Sequence, residues 1–254
     1  MLRLDVRSAR LALVSLALAC LALILGPGAA SAQIPDKFTN LKILPKGISK
    51  PELVSVMRGF SMGLGVCCEF CHVDEESPKR LDYASDEKKN KVIARSMMKM
   101  TREINGKLIP KAGIENPAQV RCVTCHHGIS RPVTLADTLE AAIQRDGVQA
   151  GENAYKELRA KYYGSGAYDF RPGSLNSVAE WLAQDRKDFD GAIAIMHLSI
   201  TQDPNSAQSY AMLGRFQEAN GDKAAAIVSY KKSLELDPEN PRVQQALKQA
   251  EGGQ

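Results

Sequence analysis

The chain is 254 residues long, with 44% hydrophobic and 24% charged residues and a formal net charge of +4. That length exceeds one typical domain, and so small a basic excess gives no footing to a nucleic-acid reading. Six cysteines and eight methionines carry more information than the charge does.

The N-terminus has a basic opening over Met1–Arg10, an apolar run over Leu11–Leu25, and Ala30-Ser31-Ala32 before Gln33. This is the layout of a secretory signal with a small-residue cleavage site, so residues 1–32 are read as a signal peptide cleaved after Ala32. The apolar run covers 15 residues, short of the about 20 that cross a bilayer. No other stretch is apolar enough, and no integral membrane span is expected in the mature chain. Cys20 raises the thought of a lipid anchor, but cleavage there would leave Leu21–Leu25 stranded in the product. Export places the mature protein in a bacterial periplasm.

Residues 33–136 form the first expected domain. Lys50–Leu64 reads as a helix, with Pro51 in its first turn and Leu53, Val54, Met57 and Phe60 at helical spacing. Gly63 and Gly65 then turn the chain toward Cys68-Glu69-Phe70-Cys71-His72. A second helix is expected from Ser85 to Leu108, with Ile93, Met97, Met100 and Ile104 as one stripe. Pro110, Gly113 and Pro117 separate it from Cys122-Val123-Thr124-Cys125-His126. No strand pattern competes with this reading.

The two short cysteine stretches share the form Cys-x-x-Cys-His, the covalent attachment signature of c-type haem. Cysteines three apart fall on one face of a helical turn, where both thiols add to the haem vinyl groups and the next histidine meets the iron. Two covalently bound haem c groups are expected, one on Cys68 and Cys71 with His72 on its iron, the other on Cys122 and Cys125 with His126. Structural zinc and a disulfide framework are the alternatives, since the 50 residues between the pairs exclude neither. Neither requires a histidine directly after each pair. The segment is rich in Pro, Gly and Lys and poor in large aromatics, a weak core to which haem would add apolar mass.

Each proximal histidine is expected to offer one ring nitrogen to iron while the other bonds a backbone carbonyl. His127 follows a proximal ligand too closely to reach the same iron's opposite face and reads as a rim residue, and His197 reads as surface. Methionine is then the natural distal ligand. Met57 stands 11 residues before Cys68 on the preceding helix and is favoured over Met62 for the first iron. Met97, Met98 and Met100 compete for the second, with Met97 chosen, although methionine is more often plain core. Cys67 reads as a small buried thiol.

Residues 137–254 form the second expected domain, helical throughout. Thr138–Tyr163 adds a helix or helix pair, and residues 173–240 repeat with a period of 34. Asp188 matches Asp222, Ala192 matches Ala226, Ser199 matches Ser233, and Asp203-Pro204 matches Asp237-Pro238. That period is a tetratricopeptide signature. The second unit is the better copy, with Tyr210, Leu213, Gly214, Ala226, Tyr230 and Pro238 in place. In the first, Trp181 and Met196 fill the core, and Pro241–Gln249 supplies a polar cap.

Asn40–Lys46, Met57–Phe60 and Leu64–His72, then Ala94–Asn105 and Cys122–Gly128 with Pro132, together resemble the cytochrome c subunit of photosynthetic reaction centres over residues 38–135. The resemblance implies a helix, a turn and an attachment site per haem, with a helix methionine as distal ligand in the place of Met57. Photosynthetic members carry four haems, whereas this chain resembles one half and adds a repeat tail. It implies electron transfer and not photosynthesis.

The fold expected is mainly α, a multihaem class c cytochrome domain followed by a tetratricopeptide-like α-solenoid. The function expected is an exported diheme cytochrome that passes electrons to redox partner proteins, periplasmic or membrane-bound, with the tail for docking. A chain cut near Thr138 is accordingly expected to keep both haems. A diheme peroxidase-like oxidoreductase, needing an open iron, and a redox-sensing assembly scaffold are the other readings.

Overall fold

Ser49 opens the first helix: its hydroxyl and its backbone N–H both donate to Glu52 Oε2, at 2.7 and 3.0 Å, a capping box that occupies orphan groups at the helix start. The computed structural model describes residues 34–75 and 80–252. The expected signal sequence, Cys20 and the cleavage site lie outside the described residues. Two compact units divide the chain, one running to Ser61 and taking in Cys67–Val120, the other joining Met62–Val66 to everything from Arg121 onward. The boundary expected after residue 136 lies inside the second unit.

In the first unit, α1 (Lys50–Leu64) is followed by a 3-10 turn over Cys68–Phe70. Strands β1 (Val73–Glu75) and β2 (Arg80–Asp82) pair antiparallel, with Val73 opposite Asp82. Sequence periodicity gave no hint of them, because three residues are too few for an alternation to register. Helix α2 (Lys89–Glu103) starts later than the expected Ser85. The intervening residues are used in turns: Asp82 Oδ1 accepts from the N–H groups of Ala84 and Ser85, and Ser85 Oγ from that of Glu87. After Glu103 the helix widens into a π turn, Ile104–Leu108, and closes in α3 (Ile109–Lys111). Pro110 lacks the N–H that a regular helix would donate there, and the wider turn accommodates the loss.

Polar latches hold this unit more than apolar packing does. Asp86 meets Lys42 at 2.6 Å, Arg95 at 2.8 Å and Lys91 at 3.4 Å, while Arg95 and Arg102 donate to the carbonyls of Asn40 and Ile43. Among the described residues, Leu53 is its only buried hydrophobic side chain. Such a thin core fits the expectation drawn from composition.

The second unit contains α4 (Cys122–His126), α5 (Leu135–Asp146), α6 (Val148–Tyr162), α7 (Pro172–Gln184), α8 (Phe189–Gln202), α9 (Ala207–Ala219), α10 (Lys223–Leu236) and α11 (Pro241–Gly252). The period of 34 is visible in the backbone. Asp188 and Asp222 begin α8 and α10 as matched caps, accepting from Gly191 N–H at 2.8 Å and Ala225 N–H at 3.0 Å. Ala192 and Ala226 are both fully buried, and a Cβ on Gly214 would stand 2.6 Å from the Tyr230 ring. One core runs from Leu135 and Tyr155 through Ile195 and Met196 to Phe216, with Trp181 packed against it. A smaller one gathers Ala226, Tyr230, Val243 and Ala250.

Candidate functional site

Cys68 and Cys71 lie one turn apart because the 3-10 turn brings the N–H groups of Cys71 and His72 onto the Cys68 carbonyl, at 3.2 and 3.0 Å. Two side chains from the start of α2 hold that turn from outside. Lys88 Nζ donates to the Glu69 carbonyl and Asn90 Nδ2 to the Phe70 carbonyl. Burial pushes the Cys71 thiol above its ordinary pKa, with Lys88 opposing. The His72 ring packs edge-on to Tyr83 at 5.0 Å between centroids. Burial, with Lys91 nearby, holds its pKa below the usual imidazole value. Its Nδ1 is buried and has no hydrogen-bond partner, so the expected carbonyl bond is not made at this histidine. Lys91 Nζ donates to the carbonyls of Tyr83, Ala84 and Ser85 at 2.8, 3.0 and 2.6 Å.

The second motif is built more firmly. Thr124 Oγ1 accepts from Arg121 N–H at 3.0 Å at the start of α4, and His127, left-handed at φ 49°, ends it. His126 Nδ1 lies 2.9 Å from the Ile129 carbonyl. A carbonyl only accepts, so Nδ1 carries the proton and Nε2 presents its lone pair. Here the expected carbonyl bond is present. Burial raises the Cys122 thiol pKa as it does that of Cys71, while Cys125 is exposed.

The end of α1 completes this second site. A Cβ on Gly63 would stand 3.2 Å from Val123 N and 3.3 Å from Cys122 Cβ, and one on Gly65, at φ +64°, only 2.0 Å from the Gly128 carbonyl oxygen. Gly128 N–H donates to the Gly63 carbonyl at 3.0 Å. These glycines therefore do more than turn the chain toward Cys68; they let the strip 62–66 lie against the second motif. Asn105, in the first unit, exchanges two 2.8 Å bonds with the Val120 backbone just before that motif. Sequence reasoning missed these supports, since Gly-Leu-Gly at a helix end reads as a stop signal and a single asparagine carries no spacing to notice.

Met57 is half-buried on α1, in the same unit as Cys68–His72. Met97 is 38% exposed, Met100 44% and Met62 78%. No residue of α2 is buried, and its apolar face, Val92, Ile93, Met97 and Met100, is open. His127 and His197 are exposed, as expected for rim and surface. Cys67 is exposed rather than buried; it is the extended residue ahead of the 3-10 turn, outside the part that packs.

These features fit a covalently bound haem. Each motif presents two thiols and a histidine on one helical turn, one histidine has an oriented ring, and the other has a buried nitrogen free of protein partners. The open apolar face of α2 is what a macrocycle would cover. None of Cys67, Cys68, Cys71, Cys122 and Cys125 is in a disulfide. Among the described residues no three His, Cys, Asp or Glu side chains gather as a metal cluster. Among them, too, no helix is long and apolar enough to cross a membrane.

Residues 28–170 match the family described as "Photosynthetic reaction centre cytochrome C subunit", and residues 207–240 match a tetratricopeptide repeat. The latter span is the better copy of the 34-residue repeat. Cytochrome c-554 of Chloroflexus aurantiacus is 31% identical over 101 residues, which is 39% of this chain and 23% of that protein. The chain thus spans about a quarter of the length of the curated relative it matches. Among solved structures, the first tetratricopeptide domain of Spaghetti (RPAP3) bound to an HSP90 peptide is 17% identical, covering 47% of this chain and 91% of that one at a TM-score of 0.34. A crystal structure of MamA is likewise 17% identical, over 47% of this chain and 66% of that one, at a TM-score of 0.34.

Proposed function

The chain belongs to the photosynthetic reaction centre cytochrome c subunit family, and on that premise we propose that it is an exported electron-transfer protein carrying two haem c groups. The observation that carries the reading is the pair of Cys-x-x-Cys-His turns, one closed by the N–H groups of Cys71 and His72 on the Cys68 carbonyl and the other backed by the Ile129 carbonyl at His126 Nδ1. Cys68 and Cys71 hold one haem and Cys122 and Cys125 the other. His72 and His126 are the proximal ligands, Met57 is the distal ligand of the first iron, and Met97 is the candidate for the second. Haem supplies reversible one-electron chemistry; the protein's part is to close the iron sites, exclude water and set the potentials. The Ile129 carbonyl supports this by raising the basicity of His126.

Residues 33–136 supply the haem ligands and residues 137–254 the tetratricopeptide-like surface by which the cytochrome docks on its redox partner. A periplasmic location follows from the signal-like N-terminus. Expression with cytochrome c maturation in a bacterial periplasm tests the whole reading. Intact mass should exceed the mature polypeptide by two haems, the pyridine hemochrome spectrum should be of the c type, and the mature chain should begin at Gln33. A colourless protein, or one carrying zinc, would overturn it.

A further inference from the structure

The two motif histidines differ in what their Nδ1 atoms meet. His126 Nδ1 donates to the Ile129 carbonyl at 2.9 Å, whereas His72 Nδ1 is buried and has no hydrogen-bond partner. We propose that this difference ranks the two haems: the one at His72 has the higher reduction potential and holds the first electron taken up, and the one at His126 has the lower. The inference rests on the haem reading above and deepens it. It gives the Ile129 carbonyl and the Lys91 ammonium roles in setting that order.

Ferric haem carries one more positive charge than ferrous, so whatever favours that charge lowers the potential. A hydrogen bond from Nδ1–H to a carbonyl makes the ring a stronger donor through its other nitrogen and steadies the ferric state. That bond is present at His126 and absent at His72. The setting of His72 also resists positive charge. Burial, then Lys91, Lys88 and Arg95, disfavour the charged ring, with Asp82 opposing them. Lys88 Nζ donates to the Glu69 carbonyl inside the motif. Lys91 is pinned by the carbonyls of Tyr83, Ala84 and Ser85, and its side chain is only 11% exposed, so salt screens its charge little. Asp86 offsets part of that charge at 3.4 Å, but it is shared with Arg95 and Lys42. Cations held beside a buried iron site penalise its ferric state, so the charges act in the same direction as the unpartnered Nδ1.

Stepwise reduction of the full-length holoprotein, followed by NMR, tests the order without altering the chain. Haem signals are assigned to their sites by Overhauser contacts with Phe70 or with Val123, the residues that precede the second cysteine of the first motif and follow the first cysteine of the second. The haem on Cys68 and Cys71 should become diamagnetic first. In the fully reduced protein the Nδ1–H signal of His126 should lie downfield of that of His72. In redox titration, Lys91→Met should lower the upper potential and leave the lower one unchanged. The reverse order of reduction, or reduction of both haems together, overturns the proposal. So do coincident Nδ1–H signals, or an upper potential that stays in place in Lys91→Met. If intact mass shows fewer than two haems, the parent reading fails instead.

Discussion

His72 and His126 hold the same place in the same motif, yet Nδ1 of His126 has the Ile129 carbonyl and Nδ1 of His72 has no partner. The motif fixes only how far each histidine stands from its two cysteines; what lies behind the ring depends on loops that no spacing reveals. The two motifs were therefore legible in the sequence, and the different settings of their histidines were not. Met57→Ala should remove one methionine-to-iron absorption band from the oxidised protein and lower one of the two reduction potentials, since a methionine ligand raises potential. If band and potentials persist, Met57 is only packing. Asp86 offers a test by pH. Hydrogen bonds from Arg95 and Lys42 hold its carboxyl well below the ordinary 3.8. A depressed folded-state pKa gives stability that is present above 3.8 and lost as pH falls from there through the folded value. Asp86→Asn should melt below wild type at pH 7, with the gap closing as the pH drops below 3.8. A gap of constant size across that range would mean that the charge is not what matters.

At the scale of elements, every long helix in the described residues announced itself through 3.6-residue spacing or the repeat period. The elements that escaped were the three-residue strands and the π turn, where the pattern is too short or a proline alters it locally. The strip 62–66 escaped for another reason: its importance lies in what it touches some 60 residues later. Gly65→Ala would meet a left-handed backbone, costing about 1–2 kcal/mol, and a clash with the Gly128 carbonyl besides. The variant should yield protein depleted in the second haem by mass, with the first retained. Asn105→Ala removes two backbone bonds at Val120 and should cost roughly 1–3 kcal/mol of stability, read as a lowered urea midpoint with an unchanged slope. A midpoint equal to wild type would show that the Asn105 clamp is dispensable.

For the whole molecule, the two units have unequal means of staying folded. The second has an extended apolar core, whereas the first, among its described residues, buries Leu53 alone. A variant with Cys68, Cys71, Cys122 and Cys125 all changed to alanine should therefore lose the first unit and keep the repeats. Limited proteolysis should cut readily between Lys42 and Lys111 and spare α8 to α11, while the matured wild type resists at both. Equal resistance of the two regions in the variant would show that the first unit needs no cofactor to hold it. Composition placed this weakness in residues 33–136, but it did not show the polar latches around Asp86 that stand where a core would be.

Because Met62–Val66 belongs with the chain beyond Arg121, the two units are interleaved along the sequence and cross three times. A module bounded once can be exchanged between genes by a single crossover; this one cannot. Any splice between Cys67 and Val120 parts the glycine strip from the carbonyl and amide it was shaped to meet. Chimaeras joined within that interval should need both sides drawn from one parent, whereas exchanges beyond Asp203, between repeats, should be tolerated freely.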